Sequence, residues 1–481
     1  MTARWERYAD GFNPIIVKEI RQGLRTRLFW VCFALMLFVC VCIALTAYAS
    51  ITGDATVNRG PGYFSAFFIC LGVVEFVVLP YSAYRSLARE LTDDTWVLLS
   101  LTGLGPRRIL LGKVGSSLLQ GLLYASAAGP FLLFSYYLNG LGLESIGLAL
   151  SMGALYAVFL TAACVCAATL AESTVFRAGT HFAVLFGLLF LNGVAASGVL
   201  GFALRSSSRL TGPHVLEFAV LCLWPMASFG LLFFETAAAR LALVSENYTR
   251  GPRLVFALQA VVSFGLLGWM ARRTKMDADA LDGWGAFLLT LFTLIAVVVA
   301  SDRDGQAPTQ RRHTGRWSLL RAGALRGFRF SVLVLSGGTC ALFLLHRWLL
   351  PSPAGFADSD RGVLMLGAYA LLFLSLSLSL ASPFQRSDAS SPGLARVFFV
   401  GAVLLACGGL PLAGAIFLGN ASNASLNLFN PAQGIRLLVT GRAGPALQAH
   451  LSGVPMLLCL AVAFTMLADR LLAARDGQRA R

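Results

Sequence analysis

Long apolar runs recur along the whole chain and constrain its fold more than any other feature. A helix of roughly 20 apolar residues crosses the hydrocarbon core of a bilayer, where backbone groups must be satisfied within the segment. The runs lie at about 28–50, 64–84, 114–138, 146–171, 177–203, 214–236, 254–271, 285–300, 328–350, 362–382, 397–419 and 451–470. The sequence therefore predicts an all-α, polytopic membrane protein with about twelve transmembrane helices.

Composition and charge agree with a membrane protein. Hydrophobic residues make up 57% of the chain and charged residues 13%, against roughly 25% charged residues in soluble domains. A net charge of +15 would suggest nucleic acid as the partner of a soluble protein. Here the basic residues lie between apolar runs, where they orient the protein in the lipid bilayer. We therefore expect a lipid bilayer as partner and no nucleic acid.

The distribution of Lys and Arg predicts the topology. These residues concentrate before the first run, in the connections 85–113 and 301–327, and after the last run. With twelve helices all four segments lie on one side, which the positive-inside rule makes the cytoplasm. We expect a multi-pass protein of a bacterial-type inner membrane with both termini cytoplasmic. One loop departs from the rule, because Arg272, Arg273 and Lys275 fall on the outer side.

The segment before the first run predicts an amphipathic helix. About 27 polar and charged residues precede the run and no small-residue cleavage site follows it, so we do not expect a signal peptide. Asn13 can cap a helix in which Pro14 is the first residue. The apolar face comprises Ile16, Ile20 and Leu24, and the basic face comprises Lys18, Arg21 and Arg25. Such a helix lies along the membrane surface; alternatively, its charges only orient the first transmembrane helix.

The connection 85–113 is too polar in its first part to cross a membrane. Thr92 or Asp93 can begin a short helix that carries Trp96, and Pro106 can open the next transmembrane helix. The connection therefore predicts a small helical element presented to the cytoplasm.

Together these two segments resemble the ABC-2 type permease family. The opening motif, Asn-Pro-Ile-Ile-Val-Lys-Glu-Ile-Arg-Gln at 13–22, precedes the first run as it does in that family. The loop motif matches the family's loop between the second and third transmembrane helices in order and spacing. Its residues are Arg89, Glu90, Thr95, Trp96, Gly105, Pro106, Arg107 and Lys113. The resemblance covers roughly residues 11–203.

The resemblance implies a function. It implies that 13–27 is an interfacial helix, whose functional residues are Asn13, Pro14, Lys18, Glu19, Arg21 and Arg25. It implies that 91–104 is a coupling helix that docks on a separate ABC ATPase subunit. The expected protein is the permease subunit of an ABC transporter, an exporter, paired with a second permease copy or a paralogue.

The second half does not repeat these motifs. The family is usually built on six transmembrane helices, and no second copy of the loop motif follows residue 285. We therefore divide the chain into a cytoplasmic segment 1–27, a permease-like bundle 28–271 and a second membrane bundle 272–481 of unassigned role.

ATP hydrolysis is expected on the partner chain. A phosphate loop reads G-x-x-x-x-G-K-[ST], but Arg107 stands at its first glycine and Val114 follows Gly112-Lys113. The segment Leu335–Thr339 imitates the start of an ABC signature sequence, yet it lies inside an apolar run, where small residues favour helix packing. The ten cysteines show no metal-binding spacing. We therefore expect no cofactor, no metal site and no enzymatic activity in this chain.

Glu75 is the one carboxylate well inside an apolar run. An ionisable residue at such depth is costly and is a functional candidate by default. The alternative is a protonated or paired glutamate that closes a hydrogen bond between helices. Residues nearer the run ends, Glu235 and Arg240 among them, can form pairs at an interface, and His346 is expected to pack.

Two other functions remain open from the sequence. Glu75 and the count of about twelve helices also suit an ion-coupled secondary transporter. The same docking loop also suits a membrane anchor that recruits an ATPase without transporting anything.

Overall fold

The structure is a computed structural model in which every described element is helical. The residues that it describes are 14–51, 60–93, 96, 104–138, 142–170, 174–205, 214–242, 247–301, 318–349, 358–384, 393–418, 427–439 and 445–479. Twelve of the described helices are long and apolar enough to cross a membrane, one at each predicted run. The prediction of a polytopic all-α membrane protein is confirmed.

The chain divides into two compact units, Met1–Ala242 and Leu243–Arg481. The helices of the first unit are α1 (Pro14–Arg25), α2 (Arg27–Ile51), α3 (Gly60–Thr92), α4 (Pro106–Tyr137), α5 (Leu143–Ala168), α6 (Thr174–Arg205) and α7 (His214–Leu241). All but α1 are long and apolar enough to cross a membrane. Where the structure describes the first unit, it thus shows one short amphipathic helix and six helices that can cross a membrane.

Helix α3 is the buried centre of the first unit and packs against α4, α5 and α6. Aromatic side chains fill the space around it; the ring centroids of Phe76 and Tyr156 lie 5.0 Å apart, and those of Phe67 and Phe131 lie 5.9 Å apart. A π-helical turn, Val73–Val78, interrupts α3 in its middle. Such turns insert one residue into the helical ladder and often occur at functional sites.

The second unit contains six further transmembrane helices and two short ones. Its helices are α8 (Arg250–Thr274), α9 (Ala278–Ala300), α10 (Ala324–Leu349), α11 (Asp358–Ala381), α12 (Gly393–Leu404, continued by the π-helical turn Leu405–Gly409 and by Leu410–Leu418), α13 (Pro431–Val439), α14 (Pro445–Ser452) and α15 (Val454–Arg479). Helix α11 is central and packs against α9, α10, α12 and α15.

Close contacts at small residues fix the helices of the second unit. A Cβ atom on Gly338 would lie 2.7 Å from the Phe264 ring, so α8 and α10 approach closely because this position has no side chain. The segment Leu335–Thr339, which imitates an ABC signature sequence, thus lies within α10 and packs closely at Gly338, as expected.

Several boundaries differ from the sequence-based expectation. Helix α3, for example, continues to Thr92 instead of ending near residue 84, so Thr92 ends this helix and does not begin the next one. The run 285–300 extends to the full helix α9, because Asp282 is buried beside His346, 3.0 Å from Oδ1 to Nε2, instead of ending the helix. The division between the units falls after residue 242 and not after 271, so α8 belongs to the second unit. The buried Arg253 of α8 explains this assignment, since its guanidinium donates to the carbonyls of Leu319 and Gly323.

Candidate functional site

Helix α1 presents two different faces, as its sequence predicts. Ile15 is buried, whereas Lys18, Arg21 and Arg25 are exposed. The inner face lies on α4, where a Cβ atom on Gly115 would be 3.3 Å from the Ile16 side chain. Pro14 is the first residue of α1, and the predicted cap Asn13 lies outside the described residues. The amphipathic helix is confirmed, and it is docked on the start of a transmembrane helix.

A sharp junction at Thr26 separates α1 from α2. The Thr26 hydroxyl oxygen accepts a hydrogen bond from the Phe29 amide, 3.3 Å away, and so caps α2. The Trp30 indole donates to the Leu24 carbonyl across the junction at 2.9 Å. Tyr124 of α4 donates its hydroxyl to the Phe29 carbonyl at 3.0 Å. These bonds fix the angle between α1 and α2.

Four polar side chains meet where α1, α3 and α4 come together, and we call them the Lys113 cluster: Glu19, Ser86, Glu90 and Lys113. The Lys113 ammonium donates to Glu19 Oε1 at 3.0 Å, to Glu90 Oε1 at 2.9 Å and to Ser86 Oγ at 2.8 Å. These three bonds satisfy all three donors of the ammonium group. Only 2% of the Lys113 side chain is exposed.

Burial decides what this cluster does. A buried ammonium is tolerated only when it is paired and hydrogen bonded, and removal of one partner is strongly destabilising. Lys113 is therefore an internal link that holds the three helices together and does not itself face a partner protein. Because Glu19 belongs to the opening motif and Glu90 to the loop motif, the cluster joins the two predicted motifs physically.

A second polar link lies at the start of α4. The Arg107 guanidinium donates to Glu235 Oε2 of α7 through Nη2 at 2.7 Å and through Nε at 3.1 Å. On the same helix, Arg240 donates through Nε to the Thr169 carbonyl at 3.0 Å. Glu235 thus forms an ion pair near a helix end, as expected, whereas this bond of Arg240 is to a backbone carbonyl. Arg107 keeps most of its surface exposed, at 61% of the side chain.

The predicted coupling helix 91–104 lies largely outside the described residues, Thr95 included. Of its flanks, Arg89 is exposed at the end of α3, and Gly105 is the extended residue that precedes α4. Pro106 opens α4, as predicted. Trp96 is half-buried and packs against the core of the first unit. The described loop-motif residues thus lie at the same end of the unit as α1.

Glu75 lies in the π-helical turn of α3 and is 8% exposed. It lines a cavity of about 190 Å³ between α3, α4 and α5, which we call the Glu75 cavity. Its carboxyl is turned towards Gly121 of α4, with Oε1 3.7 Å from the position of a Cβ atom there. Among the described residues, none forms a hydrogen bond or ion pair with Glu75, so the interhelical bond considered from the sequence is not observed.

Sequence analysis missed Ser86, Ser117 and Thr161 as site residues. Ser86 precedes Glu90 by four residues and therefore lies on the same face of the helix. This spacing could have identified Ser86 from the sequence. Ser117 and Thr161 line the Glu75 cavity from α4 and α5, and no local pattern distinguishes them from the other hydroxyl residues of these helices.

At this end of the first unit, polar side chains link α1, α3 and α4 through Lys113 and link α4 to α7 through Arg107. Within the described part of the chain, no group of three His, Cys, Asp or Glu side chains could hold a metal ion. Comparisons of the chain with protein-family models, with curated proteins and with solved structures give no match.

Proposed function

We propose that the chain is the membrane-spanning permease subunit of an ATP-binding-cassette exporter, driven by a separate ATPase subunit. The observation that carries this proposal is the Lys113 cluster, because it brings the opening motif and the loop motif to one end of a unit of six transmembrane helices. That count is the one usual for ABC-2 type permeases. The proposal places the protein in a bacterial-type inner membrane with both termini cytoplasmic.

The proposed mechanism is mechanical. Closure of the ATPase around ATP displaces the segment 91–104, which lies between the end of α3 and the start of α4. The Lys113 cluster ties both helix ends to α1, so the displacement moves α1, α3 and α4 together. A second permease copy or a paralogue completes the translocation path, and access alternates between the two sides of the membrane.

Copurification with an ATPase tests the proposal. The tagged full chain is purified from its native membrane after mild crosslinking, and bound proteins are identified by mass spectrometry. We expect a subunit with the phosphate-loop sequence G-x-x-x-x-G-K-[ST] to be bound. Scrambling residues 91–104 should abolish its recovery, whereas scrambling the connection 52–59 should not. Equal recovery from both variants would contradict the docking role of 91–104.

Reconstitution separates the proposal from its alternatives. Vesicles that contain the purified complex are supplied with ATP, and transport of candidate lipids, glycans and peptides is measured. ATP-dependent transport supports the exporter. ATP hydrolysis without any transport supports a membrane anchor, and transport driven by a proton or sodium gradient without the ATPase supports a secondary transporter.

A further inference from the structure

We propose that the Glu75 cavity is a binding site for amphiphilic primary ammonium compounds, molecules with one cationic amine on an apolar chain. The proposal concerns the first unit alone and does not rest on the proposed function.

Because the cavity contains a carboxylate, either Glu75 is protonated or the cavity holds a cation. Glu75 is the only ionisable side chain among the described residues that line the cavity. The nearest lysine on α4, Lys113, gives its three donors to Glu19, Ser86 and Glu90. A carboxylate removed from water without a partner is strongly disfavoured, so Glu75 must bind either a proton or a cation.

The hydrogen-bonding groups of the cavity favour a ligand with several donors. The Thr161 hydroxyl gives its proton to the Ala157 carbonyl at 2.7 Å, which leaves its oxygen as an acceptor. The Ser117 hydroxyl and the Glu75 carboxylate also line the cavity. Three oxygen groups thus match the three N–H donors of a primary ammonium ion. Calcium is a poorer occupant, because it requires six to eight oxygen ligands.

The apolar walls favour a ligand with a hydrocarbon chain. Most lining residues are apolar, and the cavity volume of about 190 Å³ equals that of roughly six water molecules. It can hold the amine and the first few carbons of a chain. Two lining residues, Leu118 and Leu122, are 36% and 51% exposed. A longer chain can leave the cavity past these side chains and lie against the apolar outer surface.

The depth of the cavity also suits an amphiphile that enters from one leaflet. Ser117 and Gly121 lie four and eight residues beyond Lys113 on α4, which places them about 6 and 12 Å further along the helix. A phospholipid headgroup is a poorer ligand than a simple amine, because its phosphate would lie beside Glu75 without a cation to neutralise it.

Ligand-dependent thermal stability of the full chain tests the site. The protein is placed in phosphatidylcholine nanodiscs and its unfolding is followed by tryptophan fluorescence, with octylamine as the probe and octan-1-ol and octanoate as comparison ligands. Octylamine should give a saturable rise in Tm, half-maximal at about one tenth of the octan-1-ol concentration or less, equivalent to about 1.4 kcal/mol. Octanoate should give no rise.

Two variants and a control identify the site. Glu75→Gln should remove the preference for octylamine, and Ala154→Leu should abolish binding by filling the cavity from α5. The matched control Glu144→Gln changes an exposed carboxylate at the start of α5 and should bind as the unchanged chain does. Should Glu75→Gln fail to fold, Ala154→Leu and Thr161→Val still test the site.

Several results would overturn the proposal. Equal affinity for octylamine and octan-1-ol would mean that Glu75 is protonated and that the cavity is a neutral apolar site. Unchanged octylamine binding in Ala154→Leu would place the ligand elsewhere, and the absence of a saturable shift would mean that no such site exists. Because no ATPase or nucleotide is present, none of these results depends on the proposed exporter function.

Discussion

Lys113 shows how one buried charge can organise a membrane protein. Its ammonium group bonds to carboxylates on α1 and α3, and each of these helices contributes one of the predicted motifs. Desolvation of an ammonium ion is costly, and a bond to only one of these carboxylates would not offset that cost. The conjunction of two carboxylates and a hydroxyl makes the arrangement stable.

Substitution of this lysine tests the cluster. Lys113→Met should destabilise the protein by about 3–5 kcal/mol, because it leaves Glu19 and Glu90 close together without a cation. The matched control Lys18→Met alters an exposed lysine of α1 and should change stability by about 0.5 kcal/mol or less. Thermal unfolding in detergent micelles measures both. A variant of Lys113 as stable as that of Lys18 would show that the cluster contributes nothing.

The residues of the cluster could be singled out from the sequence, but their contacts could not. Glu19 and Lys113 are 94 residues apart, and the chain has 38 basic and 23 acidic residues. No periodicity selects one pair from so many, because the contact depends on how three helices pack. The resemblance to a permease family drew attention to both residues and counted Lys113 among the residues of the ATPase-coupling loop, whereas its side chain is buried in the bundle.

At the scale of helices, sequence alone predicted most of the architecture. Hydrocarbon thickness and backbone hydrogen bonding leave few choices for a long apolar run, so each run became one helix. The π-helical turn at Glu75 was not predicted, because the residues Val73–Val78 read as an ordinary apolar stretch. The start of α9 at Ala278 was also missed, because a charged residue inside a helix is usually taken as its boundary, and Asp282 is instead buried beside His346.

Gly327 offers a test of helix packing in the second unit. A Cβ atom there would collide with the backbone carbonyl oxygen of Val299, which cannot rotate away as a flexible side chain could. Gly327→Ala should therefore destabilise the protein by about 1–3 kcal/mol through overpacking between α9 and α10.

The control for this substitution lies on the same helix. A Cβ atom on Gly337 would meet no atom within 4 Å, so Gly337→Ala should be neutral or slightly stabilising, since alanine is the better helix former. Denaturant unfolding compares the two variants. If both behave alike, the close approach of α9 and α10 at Gly327 is wrong.

At the scale of the whole molecule, the described residues form six helices in each unit that are long and apolar enough to cross a membrane, and an even total predicts that both termini lie on one side. The basic loop after α8 is the single departure from the charge rule. Within the second unit, the Arg272 guanidinium lies 5.0 Å from the centre of the Trp348 ring. Tryptophan is common at membrane interfaces, and if the loop lies on the outer side, as the helix count predicts, this contact partly offsets the cost of the charge there.

Epitope accessibility tests this topology. A short epitope is inserted after Lys275 in one variant and within 302–317 in another, and further variants carry it at either terminus. We expect the epitope after Lys275 to react with antibody in intact spheroplasts, and the other three only after permeabilisation. The reason is that α9 crosses the membrane between the two loops and the number of helices is even. Reaction of both loop epitopes on the same side would show that α9 does not cross, and the positive charges after α8 would then obey the rule instead of breaking it.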